Sequence, residues 1–455
     1  MKKNKMQKLL LIGLVSLLIF SCDKDKTYDK TKAISAFDAI EKIKISEELK
    51  NVEVKVPAQS NIDFSSGNAA LQNNKSENFT FNFQSQEKGF FKKRKEIKLN
   101  FSSQFWSIYF GDEIDNFVFS PVIKDSAAFF IDSAGVAYSF DLEKEKLIWK
   151  KRIFAKKFLQ NYRAAKIGYG VNEVLVVIDG INKIAALNAK NGEILWEKTL
   201  SAIAIANPII DEKFTYILTD TNKLYALDIT SGDIAWTHFG VLENTAIFGS
   251  SSPVIYGDFL IVSYSSGEIY ALNKNNGETI WSEELNTNKA ISSNYYLNDI
   301  DATPIVKNNI VYAIGNGGSL AALDISNGNF IWRKKIAGIV DFWIAGEFLF
   351  IIENENRLLA VSKKTGAIKW ISALPDYAKK KKPQTKYIYS GLVMAGDKLI
   401  ISRQDGEILI VSPFDGRLEK SFNIGRRIFH APIVINGKIY LNAIGSWSSA
   451  LIEIQ

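Results

Sequence analysis

Short runs of apolar residues recur along the last three quarters of the chain, and each run is ended by a turn-forming pair. In Pro253–Trp281, three such runs and a final one are separated by Gly257-Asp258, Ser266-Gly267 and Asn276-Gly277. Pairs of this kind favour the tight turns of β-hairpins, and four to eight apolar residues are the length of a strand. The pattern predicts a four-stranded antiparallel sheet.

This unit recurs, and its last strand ends on tryptophan at intervals of 38 to 51 residues: Trp149, Trp196, Trp236, Trp281, Trp332 and Trp370. A period of this size with a fixed internal signature is typical of a propeller or a solenoid. Glycine stands four residues before five of these tryptophans, at Gly192, Gly232, Gly277, Gly328 and Gly366, and Glu145 replaces it in the first unit. We expect the glycines to supply positive φ in a turn and the tryptophans to pack between neighbouring sheets.

The two ends of the repeat are incomplete. A seventh unit has Lys420 where tryptophan is expected, and an eighth stops after three strands at Gln455. Upstream, Ser102–Phe110 around Trp106 resembles a single fourth strand in period with Trp149. Because an open ring would expose strand edges, we predict an all-β, eight-bladed β-propeller of four-stranded antiparallel blades over residues 101–455, with its last blade closed by this N-terminal strand.

The N-terminus has the features of a secretory signal. Four lysines precede an apolar run, Leu9–Phe20, that is too short to cross a bilayer as a helix. The run ends in Ile19–Cys22, which resembles a bacterial lipobox and implies that residues 1–21 are removed and that Cys22 is acylated. A plain signal peptide with an incidental cysteine is the alternative. Asp23 leaves the choice between outer and inner membrane open.

Residues 22–100 are rich in Lys, Asn, Ser and Glu. We interpret this segment as a polar tether, with a small helical element near Ala33–Leu49 as the alternative. The cluster Lys92–Lys95 is interpreted as a solvated run.

Composition adds mainly exclusions. With 47% hydrophobic residues the chain can bury a large core, and a net charge of +7 does not choose among anionic lipid, nucleic acid and acidic protein. One cysteine and two histidines, His238 and His430, exclude an intramolecular disulfide and a Cys/His zinc cluster. We predict no metal site, no catalytic residue and no cofactor.

The repeated A-L-D-x-x-x-G-x-x-x-W segment resembles the repeat of PQQ-dehydrogenase-like propellers, from about residue 100 to 455. Quinoprotein alcohol dehydrogenases of that superfamily often carry an adjacent cysteine pair, and need calcium ligands and a catalytic aspartate. This chain has no cysteine pair and no clustered acidic set with a nearby base.

A closer resemblance is to the BamB family of outer-membrane assembly lipoproteins. Leu297–Pro304 resembles the family's L-x-D-V-D-T-T-P, and Gly338–Phe342 resembles its G-x-V-N-D-F without the Asn. The resemblance implies that Asp299 and Asp301 bind the barrel insertase BamA. A second loop, with Thr245, Ile247 and Phe248, takes part, and Phe248 stands where the family has Arg. Turn formation is the alternative role for the two aspartates.

The resemblance implies a non-enzymatic scaffold that is lipid-anchored at the outer membrane, faces the periplasm, is monomeric within a larger complex and binds no nucleic acid. Two alternatives stay open: an exported propeller that binds a saccharide or other small ligand in its channel, and a quinoprotein dehydrogenase. The basic loop Lys379–Lys382 either is solvated or contacts anionic lipid or an acidic partner.

Overall fold

The computed structural model describes residues 43–66, 77–83, 94–98, 121–132, 135–154, 165–241, 251–285, 299–376, 386–444 and 449–454. The chain divides into Met1–Ile43, of which only Ile43 is described, and a compact unit, Lys44–Gln455. The described residues of the second unit form eight antiparallel sheets. The predicted eight-bladed propeller is confirmed.

Blades 1 to 4 are four-stranded meanders whose strands pair in chain order. Blade 1 consists of β3 (Val122–Lys124), β4 (Ala127–Ile131), β5 (Val136–Asp141) and β6 (Lys146–Arg152). Blade 2 consists of β7 (Lys166–Tyr169), β8 (Val174–Ile178), β9 (Lys183–Asn188) and β10 (Ile194–Thr199). Blade 3 consists of β11 (Ile209–Ile210), β12 (Phe214–Leu218), β13 (Lys223–Asp228) and β14 (Ile234–Phe239). Blade 4 consists of β15 (Val254–Tyr256), β16 (Phe259–Ser263), β17 (Glu268–Asn273) and β18 (Thr279–Glu284).

Blades 5 to 7 repeat the same plan. Blade 5 consists of β19 (Ile305–Lys307), β20 (Ile310–Gly315), β21 (Ser319–Asp324) and β22 (Phe330–Lys334). Blade 6 consists of β23 (Trp343–Ala345), β24 (Phe348–Ile352), β25 (Arg357–Ser362) and β26 (Ile368–Ala373). Blade 7 consists of β27 (Tyr389–Ala395), β28 (Lys398–Arg403), β29 (Glu407–Val411) and β30 (Leu418–Asn423). Short 3-10 turns lie at Glu47–Leu49 and Val171–Glu173.

Blade 8 joins the two ends of the propeller. Its C-terminal strands are β31 (Arg427–Ile428), β32 (Ile433–Ile435), β33 (Lys438–Ile444) and β34 (Ser449–Ile454). Its outer strand is β2 (Arg94–Lys98), which pairs antiparallel with β34 from Arg94↔Ile454 to Lys98↔Ala450. Closure by an N-terminal strand is therefore confirmed, but the predicted segment, Ser102–Phe110, is wrong. Because β33 and β2 occupy the two edges of β34, Ser102–Phe110 has no edge of β34 to pair with. Trp106 itself lies outside the described residues.

Tryptophan and glycine lock neighbouring blades together. The rings of Trp149, Trp196, Trp236, Trp281, Trp332 and Trp370 face, in that order, Gly192, Gly232, Gly277, Gly328, Gly366 and Gly416 of the next blade. At Gly328 φ is +76°, and a Cβ built there would lie 2.8 Å from the Trp281 ring. The Trp281 indole N–H also donates to the Ile325 carbonyl, at 2.6 Å. Glycine is thus required twice, by the turn and by the tryptophan of the preceding blade.

The predicted tether is wrong for its described part. Residues 44–66 and 77–83, here called the strap, lie against the propeller. Val54, Phe79 and Phe81 are buried in one hydrophobic cluster with residues of blades 6, 7 and 8. The rest of the predicted tether, including residues 22–42, lies outside the described residues.

The strap begins at the rim and reaches the central channel. The Ser46 N–H donates to the Ile368 carbonyl of blade 6, at 2.8 Å, and β1 (Phe64–Ser66) pairs with the free edge of β3. First strands line the channel of a propeller. The strap therefore forms part of the channel wall.

Residues 77–83 of the strap are held by three consecutive blades. The Glu77 carboxylate pairs with Lys307 at 2.8 Å and accepts the Gly346 N–H at 2.9 Å. The Trp343 indole N–H donates to the Glu77 carbonyl. The Phe79 N–H donates to the Met394 carbonyl of β27 at 3.0 Å. The strap is thus an integral part of the fold rather than a linker.

Candidate functional site

The propeller has two unlike faces. In a four-stranded antiparallel meander, the loops into the next blade and the turns between second and third strands lie at the same end. We call this end the loop face. The strap contacts the opposite end, where Asn78 donates to Asp397 (2.7 Å) in the turn between the first two strands of blade 7. The segments that lead into blades 4, 5 and 6 all belong to the loop face, away from the strap contacts.

Hydrogen bonds connect the segments that lead into blades 4, 5 and 6. The Ser252 N–H, just before β15, donates to the Thr303 hydroxyl oxygen at 3.3 Å. The Thr303 N–H, just before β19, donates to a carboxylate oxygen of Asp341, just before β23, at 2.7 Å. These contacts place the described ends of the three inter-blade loops side by side.

The two predicted aspartates differ in exposure. Asp299 is 1% exposed, and its backbone carbonyl accepts the Asn316 N–H at 2.9 Å. Asp301 is half-buried. Burial, and secondly the negative charge of Asp299, raise the pKa of Asp301 to about 7. Asp301 is thus the member of the pair that solvent can reach, and its carboxyl group gains or loses its proton near neutral pH.

Asp301 should make stability depend on pH. The folded protein holds the proton up to about pH 7, whereas the unfolded chain releases it near 3.8, so stability should fall as the pH rises through this window. Between about pH 5 and about pH 8, the wild type should lose about 2 kcal/mol of unfolding free energy relative to Asp301→Asn. Urea unfolding of both proteins at the two pH values measures the difference. Equal pH dependence of the two proteins would show that Asp301 ionises normally.

Other residues of this face are missing from the sequence-based set. Asn354 donates from its side chain to the Asn316 side-chain oxygen at 2.7 Å, linking the turns between second and third strands of blades 5 and 6. Ile339, in the loop before β23, is 39% exposed. A Ser or Thr directly before proline, as at Ser252 and Thr303, marks the start of a blade and could have identified the two linked loop ends.

Several predicted residues lie outside the described ranges. Thr245, Ile247 and Phe248 precede Ser251, where the description of the loop into blade 4 resumes, and Cys22 and Lys379–Lys382 are likewise outside. In the part of the chain that is described, no three His, Cys, Asp or Glu side chains could hold a metal ion together. The described residues also contain no helix long and apolar enough to span a membrane.

A sequence profile of the family described as outer membrane protein assembly factor BamB matches residues 120–372. The chain belongs to the BamB family. The BamB of Moranella endobia is 25% identical over 357 residues, which are 76% of this chain and 89% of that protein. The BamB of Yersinia pestis is 26% identical over 345 residues, or 74% of this chain and 86% of the relative.

Solved structures show the same fold. BamB from Moraxella catarrhalis superposes with a TM-score of 0.61 at 19% identity, covering 72% of this chain and 94% of that structure. A quinohemoprotein alcohol dehydrogenase from Comamonas testosteroni reaches a TM-score of 0.53 at 12% identity, over 74% of each chain. Likenesses at these identities establish the propeller fold and carry no activity to this chain. The BamB relatives bear the name of an outer membrane assembly factor.

Proposed function

We propose that the chain is a non-enzymatic scaffold of the machinery that assembles β-barrel proteins in the outer membrane, and that it binds a BamA-like insertase. Membership of the BamB family is the observation that carries this proposal. The names of the relatives, which span most of this chain, support it. In the alternative function, a small ligand would bind in the channel, and β1 would form part of the wall that it contacts.

The loop face supplies the interface of this proposal. Thr245, Ile247 and Phe248 lie in the loop that leads to Ser252, and Ser252 is bonded to Thr303, two residues after Asp301. Apolar anchors beside a few charged groups are what a binding hot spot requires. Asp301 forms an ion pair with a Lys or Arg of the partner. Buried Asp299 supports the loop and raises the pKa of Asp301.

Single substitutions on the loop face should weaken capture of the insertase. We expect Asp301→Ala and, separately, Phe248→Ala to lower its affinity about thirtyfold, as truncation of a central contact does. Co-purification from solubilised membranes measures the loss. Asp299→Ala is less informative because the buried side chain makes loss of stability a competing cause.

The matched control is Asp258→Ala, which removes an exposed aspartate from the turn between the first two strands of blade 4, on the opposite face. It should capture the insertase normally. If both loop-face variants also capture it normally while melting like the wild type, the interface lies elsewhere.

Cys22 holds the scaffold at the outer membrane, facing the periplasm, through attached acyl chains. Each buried CH₂ contributes about 0.8 kcal/mol, so several chains anchor the protein firmly. Cys22→Ala should therefore move the protein into the soluble periplasmic fraction. Retention of the variant in membranes after a high-salt wash would place the anchor elsewhere, and recovery of the wild type in the inner membrane would make Asp23 the sorting signal.

A further inference from the structure

The rim of the propeller carries a basic sector on blade 1. The outer strand β6 contains Lys146, Lys150, Lys151 and Arg152 and no acidic residue, and all four side chains are exposed. The outer strand of the neighbouring blade 8, β2, contains three cations and one acid. Blades 8 and 1 pack directly on each other through a shared hydrophobic cluster. Two adjacent outer strands thus concentrate positive charge.

Other outer strands differ in charge. On blade 4, β18 ends in two glutamates and contains no cation. On blade 2, β10 contains one acid and one base, and its Lys198 pairs with Asp233 at 2.7 Å. The outer strands therefore differ in charge: β6 has four cations and no acid, β22 has two cations and no acid, and β18 has two acids and no cation.

The cations of β6 are not all engaged within the protein. Lys144, in the turn before β6, pairs with Asp141 at 3.2 Å, and the Lys150 ammonium lies 5.2 Å from the centre of the Tyr138 ring. Lys146 and Lys151 make no ion pair with any residue of the described ranges. Their charges are available to a partner.

Apolar side chains accompany these charges. Leu147 and Ile148 are 49% and 48% exposed. Exposure of Ile148 follows from the repeat, since Leu195, Ile280 and Ile331 stand at the same position before the tryptophan and are equally exposed. What distinguishes β6 is the combination of Leu147 and Ile148 with four cations in one strand. Lysine stems lie along apolar surface while their ammonium groups reach polar groups.

We propose that the β6 sector binds the anionic headgroup surface of a membrane. Lysine and arginine side chains are attracted to a negatively charged leaflet, and neighbouring aliphatic side chains enter the interface between headgroups and acyl chains. An acidic protein would match the charges, but it would leave the exposure of Leu147 beside them without an explanation. The sector forms a protein contact with the membrane that is independent of insertase binding and adds to any lipid anchor.

Vesicle co-sedimentation tests this proposal without the lipid anchor. The chain lacking residues 1–22 is used, because the described unit from Lys44 onward has its own core. It should bind vesicles that contain phosphatidylglycerol and not vesicles of phosphatidylcholine alone, and the binding should weaken at high salt. The triple variant Lys146→Glu/Lys150→Glu/Lys151→Glu should bind about tenfold or more weakly, because each cation contributes separately to attraction by an anionic surface.

A charge-matched control separates the sector from net charge. Lys334→Glu/Lys335→Glu/Lys364→Glu makes the same change at exposed positions of blades 5 and 6 and should keep wild-type binding. Equal loss in both triple variants, or no preference of the wild type for anionic vesicles, would overturn the proposal. Retention of the wild type on immobilised polyglutamate, lost only in the β6 variant and without any vesicle binding, would identify an acidic protein as the partner instead.

Discussion

Replacing Arg94–Lys98 by a glycine–serine segment of equal length should lower the free energy of unfolding by about 4 kcal/mol, since each backbone hydrogen bond to β34 contributes about 1 kcal/mol. The replacement keeps the chain connected but removes the strand that pairs with β34 over five residue pairs. It also exposes the outer edge of blade 8, so we expect aggregation at high protein concentration. Urea unfolding and light scattering measure the two effects.

The same replacement applied to Ser102–Trp106 is the matched control. It tests the segment that the tryptophan period selects for closure. A large loss of stability there, with β2 replaced at little cost, would contradict closure by Arg94–Lys98.

Phe79→Ala should destabilise the protein by about 4 kcal/mol, the usual cost of removing a buried phenylalanine side chain. Phe79 is 1% exposed, and its ring meets that of Trp343 edge-on with 5.5 Å between centroids. The substitution leaves a cavity where the strap joins blades 6 and 7. Thermal and urea unfolding of the purified variant measure the loss.

Asn82→Ala serves as the control, because Asn82 is an exposed strap residue three positions away. It should unfold close to the wild type. If Phe79→Ala were equally neutral, the strap would be dispensable and the original interpretation of this segment as a tether would hold.

The blades were predictable because each one repeats the same local solution. Apolar runs and turn pairs recur in every complete unit, and five units carry both the glycine and the tryptophan, so several independent copies support one strand plan. The sequence alone predicts that tryptophans pack between sheets. It does not predict that each ring lies on the glycine of the next blade, because that contact joins residues about 40 positions apart.

Two exceptions to the repeat, Glu145 and Lys420, agree with closure by β2 rather than by the predicted segment. Glu145 stands where glycine is expected because blade 1 follows β2, which has no tryptophan. Lys420 replaces tryptophan because blade 8 has no turn between third and fourth strands for a ring to cover. A closing strand that contained Trp106 would favour glycine at position 145.

The strap was not predicted because the hydrophobic pattern that indicates it spans only a few residues. Phe79, Phe81 and Phe83 alternate with polar residues, as do Val52, Val54 and Val56, which is the pattern of an extended chain with one buried side. Polar composition over the whole segment masked it. Pairing with blades hundreds of residues away cannot be seen in a local pattern.

The resemblance located the candidate site, and the structure shows how burial changes the properties of its two aspartates. The motif around Asp299 and Asp301 identified the loop, but it could not show that Asp299 is buried and that Asp301 titrates near neutral pH. These properties depend on the packing of the inter-blade loops. The contact from Thr303 to Asp341 likewise joins two motifs that the sequence presents separately.

Site-specific photo-crosslinking in intact cells tests most directly whether the loop face binds the insertase. A photoreactive amino acid at Ile339, which is exposed on that face beside Asp341, should form a covalent adduct with the BamA-like protein. The same group at Asp258, exposed on the opposite face, should form none. An adduct from Asp258 with none from Ile339 would contradict the proposed interface.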